Sequence, residues 1–155
     1  RIKPKVRLLY TGGHADNPEF FELLQQNDAH VVSDNTGFGT RAADVLICED
    51  GDPLEAIINY YFEEKPAATR QMGTQVERME RLLDLVKQYK ADGVVASRLY
   101  MCAPWAFEHF LMRKRLHENN VPFLELEVDY TPEGQGQIKT RVQAFVESLA
   151  DRQTA

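Results

Sequence analysis

Short apolar runs alternate along this chain with stretches whose apolar positions recur at helical spacing. Val6 to Tyr10 reads as a strand, ended by the turn pair Gly12 and Gly13. Asn17, Pro18 and Glu19 then open a helix, with a cap, a proline suited to the first turn and an acid that complements the dipole. Phe20, Leu23 and Leu24 form its buried face. Ala29 to Ser33 reads as a second strand, followed by a polar, glycine-bearing loop over 34–40. The run over 43–48, with Val45, Leu46 and Ile47 at its centre, fits either a short strand or a packed loop.

Asp52 and Pro53 mark another helix start, with Glu55 at capping-box distance. Leu54, Ile57, Ile58 and Tyr61 follow helical spacing behind it. A polar connection spans 63–73. Thr74 is expected to cap a long helix that buries Val76, Met79, Leu83 and Val86. Val94 to Ser97 reads as the third strand. A helix then runs to about His117, and Pro122 to Glu127 forms the last strand. The final helix shows Ile138, Val142, Phe145 and Leu149 on one face, and the tail over 151–155 is expected to fray.

Strand followed by helix, repeated, predicts a parallel sheet covered on both faces. The expected fold is α/β: a three-layer Rossmann-like or flavodoxin-like domain with a mainly parallel sheet of about four strands. The 155 residues suit one domain over the whole sequence. The chain opens on Arg1 without an initiator methionine, so either a cut-out domain or a mature fragment is expected.

Composition narrows the function classes. Apolar residues make up 43% and charged residues 27%, as in globular chains. The net charge of -6 argues against non-specific nucleic-acid binding, which needs a basic face. No apolar run approaches a membrane span, and no signal peptide is visible, which suits a cytoplasmic protein. The two cysteines alone can close neither a disulfide scaffold nor a four-ligand metal site.

Ligands of open parallel sheets bind beyond the carboxyl ends of the strands. That rule selects the loops over 11–16, 34–41, 98–105 and 128–136. Gly12, Gly13 and His14 precede a helix start and could hold an anion, although no dinucleotide or P-loop pattern is present. A tight turn with an exposed histidine is the favoured reading of His14. His30, His109 and His117 read as strand-edge and helix-surface histidines. Cys102 lies just past the third strand, near Pro104 and Trp105; it could be a nucleophile, a metal ligand or a small buried residue, and taken alone the buried reading is favoured. Cys48, in an apolar run, reads as structural. Glu125 and Glu127 could work as paired carboxylates, but their alternation favours the solvent side of an edge strand. Arg141, placed near the start of the last helix, would oppose the dipole there and so suggests an external partner: a phosphate, a carboxylate or another subunit.

Together these stretches resemble the C-terminal region of the 2-hydroxyacyl-CoA dehydratase / benzoyl-CoA reductase family. The resemblance rests on Thr11 to Gly13, Val31 to Asn35, Gly39 to Arg41 and Asp52 to Ala56. It continues through Tyr89 to Val95, Met101 and Cys102, Pro122 to Tyr130, and Gly136 to Phe145, in the family's order. Each match is short; the combination of YKADGVV, a following cysteine, LELEVDY and GQIKTRVQAF is more specific.

The resemblance implies a larger subunit of two stacked α/β domains. It implies a [4Fe-4S] cluster held by three cysteines, two of them in an N-terminal half outside this sequence and the third matching Cys102. Gly37 and Ala67 stand where other members carry cysteine. The implied activity is loss of water from a 2-hydroxyacyl-CoA, or reduction of benzoyl-CoA, after an ATP-dependent activator iron-sulfur protein delivers one low-potential electron. Implied partners are the acyl-CoA substrate and a homologous sister subunit. Gly12, Gly13, His14, Asp34, Asn35, Arg41 and Trp105 would line the substrate and cluster side, and Arg141 would meet the sister subunit or a CoA phosphate. The rival expectation is a non-catalytic α/β scaffold or binding module of the same fold, with Cys102 buried and dry.

Overall fold

The computed structural model describes residues 5–13, 18–25, 28–71, 73–129 and 135–154. Four strands form one all-parallel sheet: β1 (Val6–Gly12), β2 (Ala29–Asn35), β3 (Gly93–Leu99) and β4 (Phe123–Val128). Their spatial order is β2-β1-β3-β4. Among the described residues six α-helices accompany them: α1 (Pro18–Leu24), α2 (Thr40–Ala43), α3 (Pro53–Asn59), α4 (Gln75–Gln88), α5 (Ala103–Glu118) and α6 (Gln135–Thr154). The expected α/β architecture is what the chain adopts.

Strand alternation sorts the core into two layers. Leu8, Tyr10, Val95 and Leu126 pack with Leu24 of α1 and with Val142, Val146 and Leu149 of α6. On the opposite face, Leu9, Val94 and Ala96 pack with Met79, Leu82, Leu83 and Val86 of α4 and with Met112 and Leu116 of α5. The inner strands β1 and β3 are therefore buried on both faces, which explains their unbroken apolar runs. The sheet's amino end is tied down by polar pairing. Asp92 accepts a hydrogen bond from the Arg7 amide at 2.7 Å, while the Asp92 amide donates to the Arg7 carbonyl at 2.8 Å.

Several local expectations change. The run over 43–48 is neither strand nor packed loop: α2 forms at its start, and Leu46, Ile47 and Cys48 are exposed beyond it. Cys48 is thus no core residue. Asp52 does cap α3, accepting from the Leu54 and Glu55 amides at 2.8 and 3.1 Å. Yet Leu54, Ile57, Ile58 and Tyr61 face solvent, because no second layer covers that helix among the described residues. The chain continues into a π-turn over Tyr60–Glu64, closed by a 2.7 Å bond from the Lys65 amide to the Tyr60 carbonyl.

Thr74 occupies the cap position of α4 without capping it. Its hydroxyl instead donates to the Gln71 carbonyl and accepts from Arg78. Val76 is exposed; the buried stripe runs through Met79, Leu82, Leu83, Leu85 and Val86. The final helix buries its expected face and extends to Thr154, so residues 151–154 are helical rather than frayed. No helix among the described residues is long and apolar enough to cross a membrane.

Candidate functional site at the carboxyl edge of the sheet

Strand order locates the crevice. The chain leaves β1 for one edge of the sheet and later returns to β3 on its other side, so the topological switch lies between their carboxyl ends. Gly12 sits there opposite Ser97, with φ +140°. A Cβ at Gly12 would stand 2.2 Å from the Ser97 carbonyl oxygen, so only glycine lets the two backbones approach this closely. The Gly13 amide then donates to that same carbonyl at 3.0 Å. A Cβ on Gly13 would meet the Trp105 ring nitrogen at 3.5 Å, which places the indole beside the turn. His14 lies outside the described residues.

Beneath this turn, the Tyr10 hydroxyl and Ser97 Oγ are 2.5 Å apart in the core. Burial pushes the Tyr10 phenol up to about 12, against the lowering effect of the Ser97 hydrogen bond. The phenol therefore stays protonated and structural.

Cys102 follows β3 at the same edge. Met101, at φ +60°, turns the chain, and the Cys102 amide donates to the Leu99 carbonyl at 3.1 Å. Cys102 then takes the cap position of α5, with Pro104 in the first helical turn. Its thiol is free and half-buried. It is not in the core, and it stands at the helix end that carries positive partial charge. Among the described residues no three His, Cys, Asp or Glu side chains gather as a metal site. Cys102 by itself could supply one thiolate to a metal centre and could not close one.

Asp34 and Asn35 end β2. Asp34 does not reach into the crevice; it organises the loop behind it. Its carboxylate accepts from the Thr36 amide at 2.9 Å, from the Thr36 hydroxyl at 2.7 Å, and from the amide and hydroxyl of Thr40 at 3.2 and 2.8 Å. Burial alone would raise its pKa, but these bonds outweigh burial and hold it below the ordinary value. The loop delivers Arg41 to a cleft shared with Arg78 and Arg81 of α4 and Glu108 of α5.

Arg78 and Glu108 form a bidentate pair of 2.7 and 2.8 Å, almost fully buried. The remaining Arg78 nitrogen donates to the carbonyls of Ala68 and Gln71 at 3.2 and 3.1 Å. One guanidinium therefore joins α4, α5 and the loop over 65–73. Sequence spacing could not show this pair, since its members lie 30 residues apart. The apolar stripe of α4 hides Arg78, and the mixing of polar and apolar residues around α5 hides Glu108.

Arg141, Glu125 and Glu127 lie along the edge strand β4. Arg141 is in the second turn of α6, not at its start, so the supposed conflict with the helix dipole does not arise. Its guanidinium donates to the Glu125 carbonyl at 2.7 Å, within a groove along the edge strand β4. Glu125 and Glu127 do lie on that edge strand, but they serve ion pairs. Arg98 reaches Glu127 at 2.5 Å and Glu125 at 3.5 Å, and Arg113 also pairs with Glu125. His109 is not a surface residue: it is fully buried, between the rings of Trp105 and Phe123. Its Nδ1 lies 3.4 Å from Glu125, and neither ring nitrogen makes a hydrogen bond among the described residues. Burial lowers its pKa more than Glu125 raises it, which keeps the ring neutral.

Comparison with known proteins adds what the geometry cannot. The chain is 29% identical over 154 residues to YjiM of Escherichia coli (strain K12), a protein named for a dehydratase subunit. It is 26% identical to the (R)-phenyllactyl-CoA dehydratase beta subunit of Clostridium sporogenes, and 25% identical to the (R)-2-hydroxyglutaryl-CoA dehydratase beta subunit of Acidaminococcus fermentans. These alignments cover 96%, 96% and 85% of the chain but only 39%, 40% and 36% of the relatives. The chain therefore spans about two fifths of the length of the curated relatives it matches. The model of the family described as 2-hydroxyglutaryl-CoA dehydratase, D-component, matches residues 1–149, and the chain belongs to that family.

Proposed function

We propose that this chain is the carboxyl-terminal α/β part of a subunit that eliminates water from a 2-hydroxyacyl-CoA thioester. The observation that carries the reading is the position of Cys102. It is half-buried and free, at the cap of α5 and at the same edge of the sheet as the glycine turn after β1. Three relatives are named as beta subunits of CoA-thioester dehydratases, which supports dehydration over ring reduction and supports a sister subunit as partner. An ATP-dependent activator is the expected electron donor, as the family resemblance implies.

Cys102 would supply one thiolate to an iron-sulfur centre, the [4Fe-4S] type, whose other ligands lie outside this chain. When bound, such a centre would supply a low-potential electron and a Lewis-acidic iron. The chain's own residues do the rest. Gly12 and Gly13 keep the floor of the crevice free of side chains, so a ligand can approach the backbone. Trp105 walls that floor and limits the entry of water. The Arg78–Glu108 pair holds α5, and with it the cap carrying Cys102, against α4.

Anaerobic reconstitution of the full-length protein tests this reading. Cys102→Ala should lower bound iron and the cluster absorption, while the exposed Cys48→Ala should leave both unchanged. Equal iron in the Cys102→Ala variant and the parent would remove the central residue and favour a scaffold role.

A further inference from the structure

The cleft beside the glycine turn holds more positive charge than it neutralises. Thr11, Asn35, Arg41, Arg78, Arg81 and Glu108 line a partly open cavity of about 10 Å3, room for one water-sized atom. Glu108 neutralises Arg78. Asp44 pairs with one nitrogen of Arg81. Among the described residues Arg41 forms no ion pair and donates one hydrogen bond, to the Ala67 carbonyl at 3.5 Å; Glu108 acts on it only through space. A guanidinium does not shed its proton, so the excess charge stays.

A second observation is independent of that count. Arg81 Nη2 is buried and makes no hydrogen bond among the described residues. An unmet buried donor costs stability unless something accepts from it. Burial and the neighbouring Arg81 and Arg78 also work against the charge on Arg41, in that order, and outweigh the support it receives from Glu108. A single negatively charged acceptor at the cavity would answer all three faults.

We propose that Arg41 and the free edge of Arg81 form a binding site for a small-molecule oxyanion, a carboxylate or a phosphate, with one of its oxygens in the cavity. Guanidinium groups suit such oxygens because their paired N–H groups match the anion's geometry. The site lies on the ligand side of the sheet, so it deepens the thioester reading and rests on it for the natural occupant. The charge imbalance itself does not depend on that reading.

Calorimetric titration of the full-length protein in chloride-free buffer tests the site, with inorganic phosphate, acetate and coenzyme A as probes. Phosphate or acetate should bind, and Arg41→Gln should weaken that binding at least tenfold, while the exposed Lys114→Gln does not. Arg41→Lys should retain part of the affinity. Because Arg41 holds no ion pair among the described residues, Arg41→Gln should also melt no lower than the parent in anion-free buffer. Competition by coenzyme A would identify the coenzyme's phosphates as the source, and binding without competition a free oxyanion. The proposal fails if the parent binds none of the three probes. It fails equally if Arg41→Gln binds as well as the parent, or if that variant melts lower without anion, which would make Arg41 a structural cation. The iron content of Cys102→Ala reads the dehydratase proposal separately, so either can fail alone.

Discussion

Helices α3 and α4 have similar apolar spacing in the sequence and opposite fates in the fold. In α4, Met79, Leu82, Leu83 and Val86 meet β1, β3 and α5 and are buried. In α3 and the π-turn after it, no residue is buried except Tyr60, whose hydroxyl donates to the Ala42 carbonyl at 3.0 Å. Leu46 is 85% exposed and Phe62 is 77% exposed. An amphipathic pattern specifies that a helix can form and which side is apolar; whether that side is covered depends on another element being there. Apolar surface of this extent marks a region set apart from the packed sheet.

The contrast can be broken or sharpened by substitution, starting where the effect should be largest. Glu108→Ala strands the Arg78 charge in the interior and should cost about 3–5 kcal/mol in denaturant unfolding. A loss under 1 kcal/mol would show that Arg78 finds water or another acceptor. Leu8→Ala, at the centre of β1 with no exposed surface, should cost about 2–5 kcal/mol.

Asp34 should set an acid limit. Its folded pKa lies below the ordinary 3.8, so its contribution is complete above that value and disappears as pH falls through the folded pKa. Asp34→Asn should therefore flatten the acid side of the stability profile and lower stability at neutral pH. A profile parallel to the parent's would remove Asp34 as a source of that dependence. Phe62→Ala should change stability by no more than about 0.5 kcal/mol. A large loss there would mean that this surface is covered in solution, and the contrast between α3 and α4 would collapse.

Much of the fold was legible because its signals are local. Apolar runs such as Val94–Val95–Ala96 demand burial on both sides, and Asp52–Pro53 caps a helix through its own neighbours. Cys102 was also legible as a residue just past a strand end, although only the structure shows that its thiol is free and half-buried rather than in the core. His109 misled because its helix has little amphipathic contrast. Polar and apolar residues are mixed around α5, and the buried face includes Glu108 as well as Met112 and Leu116.

The sequence by itself determined the alternation of strand and helix, hence a parallel sheet with its ligand side at the strand ends. Tertiary structure alone decided the order β2-β1-β3-β4, and so which two ends face the crevice. It alone gathered Arg41, Arg78, Arg81 and Glu108 from three helices around one cavity. Local spacing acts through the backbone over a few residues. A charge balance among distant side chains exists only after the strands have chosen their neighbours.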